Sequence, residues 1–534
     1  MVLPSTGERT SSPAISLGFY DSKGCRRWLA KLPLTNVPIA QEALLEQFAR
    51  LQKTDLPPLE RAKIAEMLRD TVQFLHSKLL RRYAQKALPL EAGEAQAWQQ
   101  ERALWQALWQ QYSACLAPII EGDPEILPWA AHVLQRGLSV GKSLVLMHAL
   151  GRRLPPPELW LELHAYYRFS ELRQCLDAAV KDKLQTHAST ASCYATYSHA
   201  LLLELADPAA LTVRQIELTD RWLERWGRKL FFTAQPEAAP FYHVVDFKQG
   251  TPISPLDALP QQRTESFRAA VSDKLEISLQ ERLKRLQSGT PPAQLNLGSD
   301  CSVDACATLL EHLHRRWCTP THSTPVDAAE HEVWLSQGGL VGAYFRIGGM
   351  TFTSFRAGDR MSFAATQMFS TLNVVTGYDP QREEAERAYP WDTWREVLTH
   401  EEILKRSAMQ GEPRWNLEQL AVFRDSTEAV RCAFVRWMRQ ENDEELALKL
   451  HHWAGEPVAM VLQPAGQLLK EAQPFPAILL PAHGDEPASL LVPPRNFVVG
   501  RHVEAKPPAR PFKGRLTELM QRGLDFERVA FEAE

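Results

Sequence analysis

From about residue 38 to 230, apolar side chains recur every three or four positions, the period at which an α-helix returns to the same face. Trp98, Trp105, Leu108, Trp109, Tyr112 and Leu116 lay an aromatic stripe along one helix, which predicts a buried bundle face rather than a binding surface. Helix punctuation recurs at Asp55 before Pro57 and Pro58, at Asp123 before Pro124, and at Pro155 to Pro157. Thr212 with Gln215 three positions on has the pairing of a capping box. The breaks are irregularly spaced, so the pattern predicts helical hairpins without a strict repeat. FYHVVDF at 241–247 is a short β-rich run, and a long amphipathic helix is predicted over about Thr264 to Leu286. Residues 288–300, SGTPPAQLNLGSD, are the best linker in the chain, and a last helix follows over about Val303 to Trp317.

Beyond Trp317 the apolar runs shorten to strand length: EVWL, MTFTSF, EQLAVF, EAVRCAFVRWM, PVAMVLQ, AILLP, SLLVPP and NFVVGRHVEA. Many short strands divided by Pro and Gly predict small barrels. The expected fold is α+β and multidomain, with a helical N-terminal region over 1–287 and a linker over 288–300. A barrel domain with a leading helix over 301–465 and a second small barrel with a C-terminal helix over 466–534 complete it.

With 534 residues, 45% hydrophobic and 23% charged, at a net charge of −4, the chain is that of a globular protein of several domains. It lacks the basic excess that long nucleic acids require, so any anionic ligand should be small and locally held. No run of about 18 apolar residues is present and MVLPSTGERTSSPAIS has no apolar signal-like segment, which predicts a cytoplasmic protein with no membrane span. Eight scattered cysteines do not make a disulfide framework and suit a reducing compartment.

Several motifs invite chemistry. GLSVGKS at 137–143 is one residue short of a phosphate-binding loop, its first glycine falling at Arg136, and LPWAAHVLQ before it reads as helix where that motif needs a strand. Cys301, Cys306, Cys318 and His322, with His312 and His314, offer zinc-ligand types, but no second CxxC follows and packing as small apolar groups is the better reading. Neither GxSxG nor HExxH occurs. Glu383-Glu384 and Glu401-Glu402 read as solvated faces of helical stretches, and His451-His452 as strand residues. Nothing here points to an enzyme.

Arg315 and Arg316 stand where the helical pattern gives way to the strand pattern. A short polar run, KRSAMQG at Lys405 to Gly411, precedes EQLAVF. In this order of parts the chain resembles large bacterial proteins that join a helical N-terminal region to a divergent PilZ-like domain, the barrel that binds cyclic di-GMP. Similar segments run along nearly the whole chain, among them WLAKLP, RRYAQKALPL, LWLELHAYYR, LLLELADPAALT, FVRWM, ASLLVPPRNFVVGR and LTELMQRGLDFERVAFE.

The resemblance implies a loop of the RRxxxR type and a [D/N]xSxxG turn. Arg315 and Arg316 match the first arginines, and Ser407 matches the serine. Arginine forks suit such a ligand because they pair with phosphate and stack on guanine. Pro320 stands where the last arginine belongs, with His322 nearby. Lys405 replaces the acidic or amide residue, Gln410 the glycine, and Gly411 lies one position on. Arg406 is a further cation at the turn. The implied function is a non-enzymatic signalling effector that binds cyclic di-GMP through Arg315, Arg316, His322, Arg406, Ser407 and Gly411, with a protein partner on the helical region. The alternative is a helical interaction scaffold whose barrel has lost the nucleotide.

Overall fold

The computed structural model describes residues 18–234, 242–255, 265–320, 329–352, 380–398, 402–408, 413–441, 444–465, 473–506 and 511–534. The chain forms two compact units: the first is Met1–Lys86 with Leu90–Ser323, the second Thr324–Glu534 with Ala87–Pro89.

In the first unit the apolar period becomes α1 (Ser22–Leu29), α2 (Val37–Gln52), α3 (Pro58–Tyr83), α4 (Ala92–Ser113), α5 (Leu116–Glu121), α6 (Ala130–Leu150), α7 (Pro157–Leu172), α8 (Cys193–Leu205) and α9 (Val213–Trp226). The punctuation acts where the sequence puts it. Prolines sit in the first turns of α3 and α7, where the missing N–H has no helical partner anyway. At α9 the capping box closes, Gln215 N donating to Thr212 Oγ1 at 3.3 Å and Thr212 N to Gln215 Oε1 at 2.8 Å. The α4 stripe is core: Trp98, Trp105, Leu108, Trp109 and Tyr112 are buried.

After α9 comes a four-stranded sheet in the order β1-β4-β2-β3, from β1 (Phe231–Thr233), β2 (His243–Asp246), β3 (Ser254–Pro255) and β4 (Phe267–Val271). The predicted helix over 264–286 is therefore strand β4 followed by α10 (Asp273–Gln287). Phe267, Ala269, Ala270 and Val271 are buried, and β4 takes pairing from both β1 and β2. Central pairing satisfies backbone groups that a first helical turn would leave open. The 288–300 stretch contains a short 3-10 turn, Pro292–Leu295, and α11 (Val303–Cys318) follows. The leading helix expected for the barrel domain belongs to the first unit. Its Trp317 Nε1 donates to Leu202 O at 2.9 Å and its apolar face, Cys306, Leu309, Leu310 and Leu313, is buried. A disulfide joins Cys301 and Cys306, whereas Cys25, Cys115, Cys175, Cys193, Cys318 and Cys432 are free. The two cysteines at the start of α11 are thus bonded rather than packed as separate apolar groups.

The GLSVGKS run lies wholly inside α6. Its glycines serve packing: a Cβ on Gly141 would collide with the Trp109 ring, and one on Gly137 with the Tyr166 ring. Beside it is a buried charge cluster. Asp182 Oδ2 takes Arg69 Nη2 at 2.7 Å and Arg136 Nη1 at 3.3 Å, and Arg136 Nε donates to Glu66 Oε2 at 2.7 Å. Such a cluster holds only if every charge is paired, because a buried unpaired ion is costly.

The second unit contains two closed barrels. The first has the order β10-β7-β6-β5-β8-β9, from β5 (Ala329–Ser336), β6 (Asp392–Leu398), β7 (Glu402–Ser407), β8 (Leu420–Arg424), β9 (Val430–Gln440) and β10 (Glu445–His452). Helix α12 (Gly339–Gly348) follows β5, and α13 (Pro380–Ala388) carries Glu383-Glu384 as expected. Glu402 is a strand residue rather than a helical one. The second barrel has the order β11-β12-β13-β16-β15-β14, from β11 (Val458–Pro464), β12 (Phe475–Leu480), β13 (Ser489–Val492), β14 (His502–Lys506), β15 (Lys513–Arg522) and β16 (Glu527–Ala533). It therefore begins at Val458, ahead of the expected 466.

The expected C-terminal helix is the β15–β16 hairpin. Gly523 N donates to Phe526 O at 2.9 Å across its turn, and Leu516 and Val529 enter the barrel core. Most predicted strands fall where the apolar runs are, but 496–501 is a loop ahead of β14, and of MTFTSF residues 350–352 are not strand and the rest lie outside the described residues. One apolar cluster joins the two barrels: Leu420, Val422, Cys432 and Trp453 of the first meet Ile478, Leu480, Leu491 and Phe526 of the second, with Leu340 and Ala343 of α12. Among the described residues no helix is long and apolar enough to cross a membrane.

Candidate functional site

Helix α11 brings Arg315 and Arg316 to its C-terminal turn, where cations suit the helix dipole. Ser302 caps its N-terminus, the hydroxyl accepting from Ala305 N at 3.2 Å, and at the far end Thr319 Oγ1 donates to Arg315 O at 2.6 Å. The two arginines differ. Arg315 is exposed, whereas Arg316 is half-buried with Nε donating to Leu205 O at 3.3 Å.

Two imidazoles share this corner. His312 Nε2 meets Ala206 O at 2.8 Å and is held below the usual histidine range by burial, with the neighbouring Arg315 and Arg316 charges adding to the effect. His243 on β2 is buried, and burial with the nearby Arg316 charge pushes it down to about 4. Its Nε2 has no hydrogen-bond partner. At neutral pH the corner therefore has two guanidinium cations beside two neutral imidazoles, and the exposed Arg315 fork is the group placed to pair with a phosphate. The sequence reading missed His243, because nothing in FYHVVDF ties a strand residue to a helix end more than 60 positions away. Among the described residues no group of three or more His, Cys, Asp or Glu side chains could hold a metal ion.

The second group of expected residues lies in the first barrel. Lys405, Arg406 and Ser407 end strand β7, so the expected polar turn is strand through Ser407. Strand alternation sends Arg406 inward, 6% exposed. Its Nη1 donates to Asp392 Oδ1 at 3.1 Å, its Nη2 donates to Pro413 O, and its guanidinium lies 4.9 Å from the Trp394 ring centre. Trp394 Nε1 and Trp415 Nε1 both donate to Asp392 Oδ2, at 2.9 and 3.3 Å. Arg406 is a fixed part of the barrel interior. Lys405 is held by Glu441 at 2.6 Å and Glu445 at 3.2 Å, which keep its ammonium above the usual lysine range against the effect of burial. Ser407 is exposed, with its backbone in register with Glu445. His322 and Gly411 lie outside the described residues.

No solved structure matches this chain. Residues 23–237 match the family described as "Cyclic-di-GMP receptor FimW, N-terminal domain". The chain is also 26% identical over 314 residues to the Cyclic-di-GMP receptor FimW of Pseudomonas aeruginosa, an alignment that takes in 57% of this chain. It spans about half, 49%, of that relative's length. The family match over residues 23–237 takes in α1 to α9, which are thus similar to the N-terminal domain that the family describes.

Proposed function

We propose that this protein is a cyclic di-GMP-responsive signalling effector and not an enzyme. The observation that carries the reading is the match of residues 23–237 to the FimW N-terminal domain, together with the similarity to a bacterial protein named as a cyclic di-GMP receptor. In this reading Arg315 and Arg316 pair with ligand phosphate. The exposed Arg315 is free to reorient, and Arg316 is steadied by the Leu205 carbonyl. Ser407 supplies a neutral donor in its own unit, and Arg406 contributes barrel stability instead of ligand contact.

Isothermal titration of the full chain with cyclic di-GMP tests this. Binding is expected, and Arg315→Ala should weaken it about 10- to 100-fold, the scale for losing a hydrogen bond to a charged group. The same titration on Ser407→Ala tests the serine separately. No heat at high micromolar nucleotide would overturn the receptor reading.

A second reading has its own support. With Arg406 engaged inside the barrel and Pro320 in place of a third arginine, a helical interaction scaffold fits as well. A scaffold keeps its protein partner when Arg315 and Arg316 are both replaced by alanine, and keeps it with or without nucleotide.

A further inference from the structure

Helices α1, α3 and α6 of the first unit line a groove of about 410 Å³. Its floor is one face of α3, where Leu59, Ala62 and Met67 lie within about two turns of one another, with Val133 of α6 beside them. Trp129, directly before α6, stands at the edge 51% exposed, its ring perpendicular to that of His132 with 6.3 Å between centres. An indole left half in water beside an apolar floor is the kind of side chain that anchors an interface.

The charge around the groove is positive. Its one lining carboxylate, Glu66, is already engaged: Arg136 donates to it from Nε at 2.7 Å and from Nη2 at 3.0 Å, and Tyr112 Oη donates at 3.2 Å. Arg26 and Lys63 remain at the rim. Lys63 Nζ reaches Glu60 at 3.6 Å, but that carboxylate also accepts Ser22 N at 2.6 Å. Arg26 is exposed and has no ion pair among the described residues, and its helix, SKGCRRWL, holds three cations and no carboxylate.

We propose that this groove docks an amphipathic helix of a partner protein, with acidic side chains flanking its apolar stripe. The walls are helices whose backbone groups are bonded within themselves, so an extended segment would bury N–H and C=O groups with nothing to meet. A helix satisfies its own backbone and presents side chains at i, i+4 and i+7 to the α3 floor. Trp129 is the anchor, and Arg26 with Lys63 selects acidic over basic partners. The groove shares no residue with the Arg315 and Arg316 corner and needs no nucleotide, so it stands or falls separately from the receptor reading.

A displayed library of amphipathic helices with acidic, neutral or basic polar faces, panned on the immobilised full-length chain without nucleotide, tests this. Acidic-faced helices should be enriched, and a fluorescent peptide of the best sequence should bind in solution by anisotropy. Trp129→Ala should weaken that binding at least about ten-fold, as should Arg26→Glu combined with Lys63→Glu, the scale for losing an interface anchor. Thermal melts should show both variants folded, because all three side chains lie at the surface. Raising NaCl from about 0.05 to 0.5 M should also weaken binding. Enrichment of basic-faced helices overturns the proposal, as does a selected peptide that binds both variants unchanged. So does the enrichment of no helix, whether dodecanoate then fills the groove or a second copy does in a dimer that Trp129→Ala dissociates.

Discussion

The Arg406 guanidinium meets a carboxylate, a carbonyl and an indole face inside the first barrel. Replacing it by alanine takes this cation from the half-buried Asp392. Arg406→Ala should therefore lower unfolding stability by about 3–5 kcal/mol, the cost of breaking a buried pair from one side. Urea denaturation followed by circular dichroism measures it. Arg315→Ala, at an exposed helix end, should change stability by no more than about 0.5 kcal/mol in the same assay. Residue type alone does not separate these two arginines. KRSAMQG read as a turn sends Lys405, Arg406 and Ser407 all toward solvent, whereas strand β7, which runs through Ser407, sends Arg406 inward between a half-buried Lys405 and an exposed Ser407. That difference of period decides which cation is available to a ligand.

Helix α6 shows the same point one level up, because its GLSVGKS glycines are read by α4 and α7, not by a phosphate. In Gly141→Ala the new Cβ would collide with the Trp109 ring and stand 2.7 Å from Leu163 Cδ2. The expected loss is about 1–3 kcal/mol, the range for overpacking a filled core. A thermal melt of the variant reads it directly. Elements with strong local signals were legible: the capped helix at Thr212, the aromatic stripe of α4 and most barrel strands. Those decided by distant partners were not. In LTELMQRGLDFERVAFE, Leu516, Leu519, Met520 and Gly523 recur at spacings that suit a helix as well as a strand. What makes it a hairpin is pairing of β16 with β13 and of β15 with β14. Likewise, α11 was expected to lead the barrel because it follows the linker, but carbonyls of Leu202, Leu205 and Ala206 hold it in the helical unit.

Across the molecule, Asp525 should answer acid with the opposite sign to the buried histidines of the first unit. Burial pushes His148, His164 and His243 in the first unit down to about 4, from a usual 6.5. The folded unit holds these imidazoles neutral while the unfolded chain would protonate them, so their contribution is full above about pH 6.5 and lost as pH falls toward 4. Each should cost roughly 1 kcal/mol by about pH 5.5. In the second unit burial pushes Asp525 up to about 6, from 3.8, although it accepts Leu420 N at 2.8 Å. Ionised Asp525 is a penalty above about pH 6 that fades as pH falls. Asp525→Asn keeps an acceptor and should stabilise the barrels at pH 7.5, with the gain disappearing near pH 4. Hydrogen exchange read peptide by peptide separates the two responses.

The cluster shared by the barrels bears on the order of synthesis. Leu420 waits on Asp525, 105 positions later, and the same interior needs Phe526. A ribosome thus finishes all six strands of the first barrel long before the apolar cluster they share with the second barrel can close. Until the last hairpin emerges, that barrel should depend on a chaperone or remain open to proteases. Stop codons placed just after β10 should therefore give fragments that are degraded, whatever their own strands could pair.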